Sequence, residues 1–387
     1  MLLGVVGAPN KGKSTLFSAA TLVQAKIADY PFTTIDPNKG VTYFQATCPH
    51  LSLHLQKCDP HNSRCENGIR LIPINMIDVA GLVPGAHEGK GMGNEFLGNL
   101  SEADALIQII DASGNTNCEG NPSPNFDPAE EILFLEKEIE FWIDGILKRA
   151  WPKLKGKNIQ DVAKILSGLH VSEKETISIA EQLGLATEKM NWTEEERFSF
   201  SQEVRKVSKP VIIAANKIDL PGAKENYKKL KERFPDKIII PCFADGELAL
   251  RKAADKGLIH YTPGAADFTE VNVNPAQKHA LDKIRGVMKQ WGGTGVQQCI
   301  NAAVQELLDL IEVYPVEDES KFCNNFGKVL PDSFLLPRGS TPLDLAAKIH
   351  TDLAKHFISA VNCRTKMRVG KDYQLQPGDI IKIVAGK

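Results

Sequence analysis

Short apolar runs recur along the chain, and several of them are followed by residues at helical spacing. Runs of this length, rich in Val, Ile and Ala and bounded by Gly, Pro or charged residues, are typical of strands in a largely buried parallel sheet. The alternation of such runs with helical segments predicts an α/β domain. The predicted strands are 2–6, 41–45, 69–77, 105–111, 209–215 and 237–242.

The pattern changes between about residues 114 and 205, where no strand-like alternation is found. A capped helix start at Asp127-Pro-Ala-Glu130 precedes apolar side chains at helical spacing, and the pairs Ser172/Glu175 and Thr193/Glu196 have the capping-box form. We therefore expect an insertion of several helices that leaves and re-enters the sheet domain. The apolar face of its first helix contains Ile132, Leu135, Ile139, Trp142 and Ile146.

The last part of the chain has a compact, mixed pattern in which strand-like segments surround one helix that starts at Thr341-Pro342. This order fits a small β-grasp module. The sequence therefore predicts three parts. They are an α/β domain at 1–117 and 206–305, an α-helical insertion at 118–205 and a β-grasp domain at 306–387.

The segment Gly7-Ala-Pro-Asn-Lys-Gly-Lys-Ser14 has the form G-x-x-x-x-G-K-S and lies directly behind the first predicted strand. In this context backbone N–H groups surround phosphate oxygens at the start of a helix. Lys13 would neutralise charge on the β- and γ-phosphates, and the Ser14 hydroxyl would bind Mg²⁺. The predicted phosphate contacts are Pro9, Asn10, Lys11, Gly12, Lys13, Ser14 and Thr15.

A base-selective element follows a later strand, at the edge where open α/β sheets bind ligands. In Asn216-Lys-Ile-Asp219, the Asp219 carboxylate accepts from both N1–H and N2–H₂ of guanine, whereas adenine offers neither donor. Two charge-assisted bonds of roughly 1.5–3 kcal/mol each would favour GTP by about 10²–10⁴. The Lys217 stem would cover the base, and the backbone of the loop at Phe243 and Ala244 would donate to guanine O6.

Two further segments are expected to sense the γ-phosphate. Asp78 and Gly81 form a D-x-x-G element, in which Asp78 would hold Mg²⁺ through water and the Gly81 N–H would contact a γ-phosphate oxygen. In the loop that contains Thr33 and Thr34, we favour Thr34 as the second hydroxyl on Mg²⁺. Leu82 stands where many GTPases have the glutamine that orients the attacking water, which predicts slow unaided hydrolysis.

Asn10, inside the phosphate loop, has two open interpretations. Its side-chain oxygen could bind a monovalent cation such as K⁺ that bridges the phosphates, in the role that an arginine finger has in other systems. Alternatively, the side chain braces the loop. The predicted catalytic set is Lys13, Thr34, Gly81 and Asn10, and the predicted magnesium set is Ser14, Thr34 and, through water, Asp78.

The composition and charge of the chain limit which partners and which cell compartment we expect. The 387 residues are 42% apolar and 24% charged with a net charge of -2, so a nucleic-acid contact would need a local basic patch. Residues 148–157 provide one, which is either an RNA contact or a solvated helix end. No run of about 18 apolar residues occurs, and the chain starts inside its first strand. We therefore expect a cytoplasmic protein with no membrane partner, and no contact with DNA.

Four segments together resemble the Obg-type translation-associated GTPases, and most closely the archaeal branch of their YchF subgroup. They are Gly7–Ser14, Asp29-Tyr-Pro-Phe-Thr-Thr34, Asp78-Val-Ala-Gly-Leu-Val-Pro-Gly-Ala86 and Gly91-Met-Gly-Asn-Glu-Phe-Leu97. The resemblance covers nearly the whole chain. It implies a P-loop GTPase (G) domain with a coiled-coil-like helical insertion and a C-terminal TGS domain, the latter matched by residues 332–342 and 375–379.

The resemblance also implies dependence on Mg²⁺, frequent stimulation by K⁺, and association with the ribosome or RNA. Many YchF members replace the guanine-selective element and accept ATP, whereas Asn216-Lys-Ile-Asp219 is intact here. The expected function is therefore a GTPase that binds GTP and GDP, hydrolyses GTP slowly and acts as a switch. The alternative is an ATP-hydrolysing, YchF-like stress or regulatory protein whose main role is to bind a partner.

The polar segment between residues 48 and 68 contains Cys48, Cys58 and Cys65, with three histidines among them. Thiolates and imidazoles are zinc ligands, but the spacing Cys-x₉-Cys-x₆-Cys lacks the close C-x₂-C pair of zinc knuckles. Three interpretations are therefore kept: a zinc site, a disulfide, or free thiols on the surface.

Overall fold

The computed structural model describes residues 1–21, 38–79, 85 and 93–386, with residues 93–97 described by their backbone alone. The chain divides into two compact units. Unit 1 contains Met1–Thr42 and Asn75–Cys299, and unit 2 contains Tyr43–Ile74 and Ile300–Lys387.

The largest sheet is built from the predicted apolar runs. Its strands are β1 (Leu2–Val6), β2 (Lys39–Thr47), β3 (Arg64–Glu66), β4 (Ile69–Asp78), β5 (Ala105–Asp111), β6 (Val211–Asn216) and β7 (Ile239–Pro241). Their order is β2-β4-β1-β5-β6-β7, with β3 paired to β4. The pairs β4/β1, β1/β5, β5/β6 and β6/β7 are all parallel. Every residue of β5 is buried, as its continuous apolar run predicts.

The helices include those predicted from capping signals. They are α1 (Lys13–Thr21), α2 (Pro49–Ser52), α3 (Gly93–Glu102), α4 (Ala129–Leu154), α5 (Ile159–Leu166), α6 (Glu173–Gln182), α7 (Glu194–Ser208), α8 (Ala223–Arg233), α9 (Ala244–Asp255), α10 (Pro275–Trp291), α11 (Val296–Ala302), α12 (Pro342–Ile349) and α13 (Thr351–Lys355). Ser172 and Thr193 form the capping boxes that start α6 and α7. Among the described residues, no helix is both long and apolar enough to cross a membrane.

The four helices α4 to α7 share a core with the sheet of unit 1. Ile139 and Trp142 of α4 and Phe200 of α7 belong to the same buried cluster as Val6 of β1 and Ile77 of β4. An amphipathic helix buries its apolar stripe against whatever apolar surface it covers, and here that surface includes the sheet. The predicted mixed α/β domain with a helical region is therefore confirmed. The predicted separation at 118–205 stays a prediction, since the structure groups these helices with unit 1.

Unit 2 contains a second, mixed sheet. Its strands are β10 (Leu310–Val316), β11 (Phe334–Pro337), β12 (Phe357–Asn362), β13 (Met367–Val369) and β14 (Asp379–Ala385), and two short strands of unit 1 precede them, β8 (Ile259–His260) and β9 (Thr269–Glu270). The order is β11-β10-β14-β12-β13, in which β10 and β14 are parallel and the other pairs antiparallel. Leu345 of α12 packs into the core of this sheet, which confirms the small C-terminal β domain.

The structure also places residues 43–74 in unit 2, which the predicted division assigned to the first domain. The backbone of this segment bonds to the C-terminal part of the chain, with Asp59 N–H donating to Val329 O (2.8 Å) and His61 N–H to Pro331 O (2.6 Å). The sequence pattern gave no sign of this grouping, because the contacts join residues about 270 positions apart.

Candidate functional site

The phosphate loop leaves β1 and enters α1 with the backbone that its glycines require. Gly7 has φ +150°, and a Cβ there would meet the Ile109 carbonyl oxygen at 2.5 Å. Gly12 has φ +96° and adjoins the Asn216 amide. Asn10 is also in the left-handed region, with φ 62°, a conformation that Asn tolerates better than most residues. The loop therefore presents its backbone at a helix N-terminus, the arrangement that binds phosphates.

The residues predicted to hold Mg²⁺ and the phosphates lie next to each other. The Ser14 hydroxyl donates to Asp78 Oδ2 (3.0 Å), and Lys13 Nζ donates to the Ala8 carbonyl (3.1 Å). The other oxygen of Asp78 is buried and has no hydrogen-bond partner among the described residues. Burial raises the pKa of Asp78, and the Ser14 hydrogen bond and the Lys13 charge oppose that rise. A carboxylate oxygen and a hydroxyl beside a phosphate loop are hard oxygen ligands, so these residues fit Mg²⁺.

The Lys11 side chain points into the protein. The ammonium is fully buried, pairs with Glu131 Oε1 (2.9 Å), and donates to Thr116 Oγ1 (2.7 Å). A lysine held in this way cannot reach a nucleotide with its charge, so only its backbone remains available to the phosphates. Burial raises the pKa of Glu131, and the neighbouring Lys11 charge opposes this rise.

Asn216 and Lys217 connect the base-selective element to the phosphate loop. The Asn216 side-chain amide donates to the Lys11 carbonyl (2.8 Å), and its oxygen accepts from the Ala244 N–H (3.1 Å). Lys217 Nζ donates to the Asn10 carbonyl (2.9 Å) and to Asp111 Oδ2 (2.9 Å). Two motifs separated by about 200 positions therefore form a single site within unit 1.

The base end of the site contains the remaining predicted residues. Asp219 is exposed beyond β6. Its carboxyl group is still partly covered by the protein, and this partial burial raises the pKa of Asp219. The Asp245 charge adds to the rise and the Lys217 charge opposes it. Phe243 immediately precedes α9, with its N–H donating to the Thr294 carbonyl (2.7 Å). Because the Ala244 N–H already donates to Asn216, it is not free in this structure for the predicted contact with guanine O6.

Asn10 braces the loop through its nitrogen. Its side-chain amide donates to the Gly120 carbonyl (3.0 Å). This contact supports the bracing interpretation and leaves the cation interpretation untested, since the latter concerns the side-chain oxygen. Thr34, Gly81 and Leu82, like Thr33, lie outside the described residues, so their predicted roles stay predictions.

Two buried carboxylates in the site were not predicted from the sequence. Asp111, at the end of β5, accepts from Ser113, Thr116 and Lys217. Burial alone would raise the pKa of Asp111, but these hydrogen bonds outweigh it and lower the pKa. Glu247 of α9 is fully buried and pairs with Arg251. Asp111 has a recognisable signal, an acid directly after a buried strand, whereas Glu247 has none.

Glu247 supports the base end through a short chain of contacts. Its carboxylate accepts from Tyr261 (2.6 Å) and from the Thr294 hydroxyl (2.5 Å). Thr294 in turn offers its carbonyl to the Phe243 N–H. A satisfied buried network of this kind fixes the loop that it supports.

Three family profiles match separate parts of the chain. Residues 2–142 match the profile of the 50S ribosome-binding GTPases, and residues 214–318 match the G4 motif-containing domain of Obg-like GTPase YGR210-like. Residues 327–385 match the TGS domain. These ranges contain, in order, the phosphate loop, the Asn-Lys-x-Asp element and strands β11 to β14 of the unit 2 sheet.

Curated relatives match along most of their length. The uncharacterized GTP-binding protein MJ1332 of Methanocaldococcus jannaschii is 50% identical over 391 residues, covering 99% of both chains. The uncharacterized GTP-binding protein C428.15 of Schizosaccharomyces pombe is 35% identical over 360 residues, covering 88% of both. The ribosome-binding ATPase YchF of Bacillus subtilis is 32% identical over 416 residues, covering 98% of this chain and 97% of the relative.

Solved structures agree with these relatives. A GTP binding protein from Pyrococcus horikoshii OT3 has a TM-score of 0.82 at 42% identity, with 100% of both chains covered. The Schizosaccharomyces pombe YchF GTPase has a TM-score of 0.59 at 20% identity, which shows a shared fold and no more.

We predict that Asn216→Ala weakens GDP binding by about 30- to 1,000-fold. The substitution removes two buried hydrogen bonds and leaves their partners unsatisfied, at a cost of about 2–4 kcal/mol. Calorimetric titration with GDP measures the change. Asn226→Ala is the matched control, because it also removes one amide that donates to a backbone carbonyl, that of Ala112. Equal affinities of the two variants would contradict the tethering role of Asn216.

Proposed function

Since this chain belongs to the Obg-like GTPases, in the YGR210-like and MJ1332 subgroup that is related to YchF, we propose that it hydrolyses GTP to GDP and phosphate as a nucleotide-dependent switch. The observation that carries this proposal is the pair of tethers from Asn216 and Lys217 to the phosphate loop. They hold a guanine-selective element at a fixed position relative to a phosphate-binding loop. A ligand that uses both ends must contain a guanine and a phosphate chain.

The described residues at the phosphate end have separate roles in the proposed reaction. Backbone N–H groups of the loop and the Lys13 ammonium hold the β- and γ-phosphates, and Ser14 and Asp78 would hold Mg²⁺ there. The ion would supply positive charge that stabilises the transferring phosphoryl group. Burial lowers the pKa of Lys13, the Asp78 charge opposes this, and the Lys11 charge adds to it. Phosphate oxygens would supply the negative charge that favours the protonated ammonium.

Hydrolysis breaks the bond between the γ-phosphorus and the bridging oxygen, while a water oxygen forms the new bond to phosphorus. We propose that this step is slow without help, because the Leu82 side chain has no hydrogen-bonding group to orient the water. Thr34 and Gly81 are proposed to contact the magnesium ion and the γ-phosphate. Loss of that phosphate would release their segments, which is how GTPase switches work.

Guanine rather than adenine is the proposed base, although relatives are named as ATPases. The support is Asp219, whose exposed carboxylate is free of any ion pair among the described residues and matches the two donors on guanine. Adenine would leave that carboxylate without a partner.

We predict that Asp219→Asn lowers the affinity for GDP by about 10²–10⁴, because the amide cannot accept from both guanine donors. Xanthosine diphosphate should partly rescue binding, since xanthine has a carbonyl oxygen at C2 to which the new amide can donate. Competition against a labelled nucleotide, with ATP and ADP included, measures both effects.

Asp236→Asn is the control for this substitution, because it removes the same charge from an exposed position. Two results would contradict guanine selectivity. One is displacement of labelled GDP by ATP as readily as by GTP in the unmodified protein. The other is an Asp219→Asn variant that keeps its affinity for GDP.

We also propose that the Asn10 oxygen binds K⁺ during hydrolysis. The prediction is faster GTP turnover in KCl than in NaCl, measured as phosphate release at equal ionic strength. Asn10→Gly should lose the difference between the salts, and glycine avoids backbone strain at φ 62°. Asn10→Asp keeps an oxygen but loses the donor to Gly120, so it should retain the preference for K⁺. Equal rates in both salts would exclude the cation role.

The proposed partner of the switch is the ribosome or RNA. Two observations support it. Relatives are named ribosome-binding, and five basic side chains are exposed at the end of α4 and just beyond it. These side chains are Lys148, Arg149, Lys153, Lys155 and Lys157. Phosphate contacts from such a cluster would make binding depend strongly on salt.

We predict that the protein sediments with ribosomes more strongly in the presence of a non-hydrolysable GTP analogue than with GDP. Replacing Lys153, Lys155 and Lys157 by Glu should reduce the slope of log affinity against log salt by about two to three. Glutamates at Lys224, Lys229 and Lys231, which are exposed on α8, give the same change in net charge at another place. If both triple variants sediment alike, this cluster is a solvated helix end.

A further inference from the structure

The polar segment that follows β2 brings four metal-binding side chains together within unit 2. Cys48 precedes α2, His50 lies in it, Cys58 is in the following loop and Cys65 is in β3. The three sulfur atoms and one imidazole nitrogen all lie within 4.8 Å of one another. Cys48 and His50 are buried, and Cys58 and Cys65 are half-buried. The set is Cys₃His, one of the ligand combinations of structural zinc sites.

Two of the distances inside this cluster match a tetrahedron around a single ion. Zinc binds sulfur at about 2.3 Å and nitrogen at about 2.0–2.1 Å, so tetrahedral geometry places two sulfurs about 3.8 Å apart and sulfur and nitrogen about 3.6 Å apart. The Cys48 and Cys58 sulfurs are 3.7 Å apart, and the Cys65 sulfur is 3.7 Å from His50 Nδ1. A disulfide would bring two sulfurs to about 2.05 Å and leave the third thiol and the imidazole unused.

A buried cation beside the cluster gives independent support. The Arg70 side chain is fully buried, and its partners in the described part of the chain are neutral: Ser63 Oγ, the Leu330 carbonyl and the ring of Tyr314. Burial of a charge without a counter-charge is costly. Zn²⁺ with three thiolates and a neutral imidazole has one net negative charge, which would balance Arg70.

Arg70 adjoins the cluster in the sheet. It is the residue that pairs with Cys65 in the antiparallel register of β3 and β4. Its Nε is buried and has no hydrogen-bond partner among the described residues.

Another close cysteine pair shows what distinguishes this cluster. Cys242 and Cys299, in unit 1, are fully buried with sulfurs 3.5 Å apart. In the described part of the chain, the metal-ligand cluster contains Cys48, His50, Cys58 and Cys65, and neither of these two thiols belongs to it. His61 is also outside the cluster. Its side chain is 73% exposed, and its Nδ1 lies 3.6 Å from Asp332 Oδ1.

We propose that Cys48, His50, Cys58 and Cys65 bind one Zn²⁺ as a structural site. The ion fixes residues 48–66, which contain one short helix and one three-residue strand, into the fold of unit 2. The site is separate from the nucleotide site, whose residues all belong to unit 1. Its position in the hydrophobic cluster that contains Cys58, Tyr314 and Leu330 gives it a structural rather than a catalytic setting.

The test is metal analysis of the full chain, expressed without a histidine tag and dialysed against EDTA. The expected result is about one zinc per chain in the unmodified protein. Cys65→Ser and His50→Ala should bind zinc at least about 100-fold more weakly in competition with a chromophoric chelator, because losing a ligand costs more than losing its outer-shell support. Two controls, Cys118→Ser and His61→Ala, should keep the metal.

A second measurement uses the unmodified protein, so it tests the proposal even if the variants fail to fold. Cobalt substitution of the unmodified protein should give the intense visible bands of a tetrahedral thiolate site, and added zinc should bleach them. Peptide mass mapping of the unmodified protein shows whether each cysteine is a free thiol or part of a disulfide. A Cys48–Cys58 disulfide, iron in place of zinc, or free thiols that bind neither zinc nor cobalt would each overturn the proposal. GDP binding, measured in parallel, reports on unit 1 independently of these outcomes.

Discussion

One buried amide determines the geometry of the nucleotide site. Asn216 ends β6, the strand beside the edge strand β7. Its side chain bonds the phosphate loop on one side and the base loop on the other. It is 3% exposed, so water cannot replace either bond. The carboxyl ends of parallel strands lie at one edge of a sheet, but that fact alone does not fix loops relative to each other. The Asn216 side chain does so directly.

Three ion pairs inside unit 1 also hold the phosphate and base loops in place. Lys11 pairs with Glu131 inside unit 1, Lys217 pairs with Asp111, and Glu247 pairs with Arg251. Removing one partner from such a pair leaves an uncompensated charge in a poorly solvated place. These pairs therefore resist rearrangement of the phosphate and base loops. A site that is rigid before the nucleotide arrives loses less entropy when it binds.

The fold and the nucleotide motifs were accessible from the sequence because they depend on local patterns. Apolar runs predicted β1, β5 and β6, and capping boxes predicted the starts of α6 and α7. The phosphate loop needed only its own eight residues and the strand before them. Lys11 illustrates where local reasoning ends, since the direction of its side chain is set by Glu131, 120 positions away.

The other features that the sequence did not predict also depend on contacts between residues far apart in the chain. Residues 43–74 group with the C-terminal β domain through contacts between distant segments, which leave no periodic signal. Among the histidines of the cysteine segment, the sequence could not identify which one faces the thiols. His50 does so because α2 turns it toward Cys65, while His61 lies in a loop and is exposed. The Glu247 network is likewise formed by residues from separate elements.

The central claim is that a single pocket in unit 1 holds guanine at one end and a magnesium triphosphate at the other. The most direct measurement is a crystal structure of the protein with Mg²⁺ and a non-hydrolysable GTP analogue. We expect guanine against Asp219, the phosphates on the loop that contains Lys13, and the metal at the Ser14 hydroxyl. An analogue bound elsewhere, or with its base away from Asp219, would contradict it.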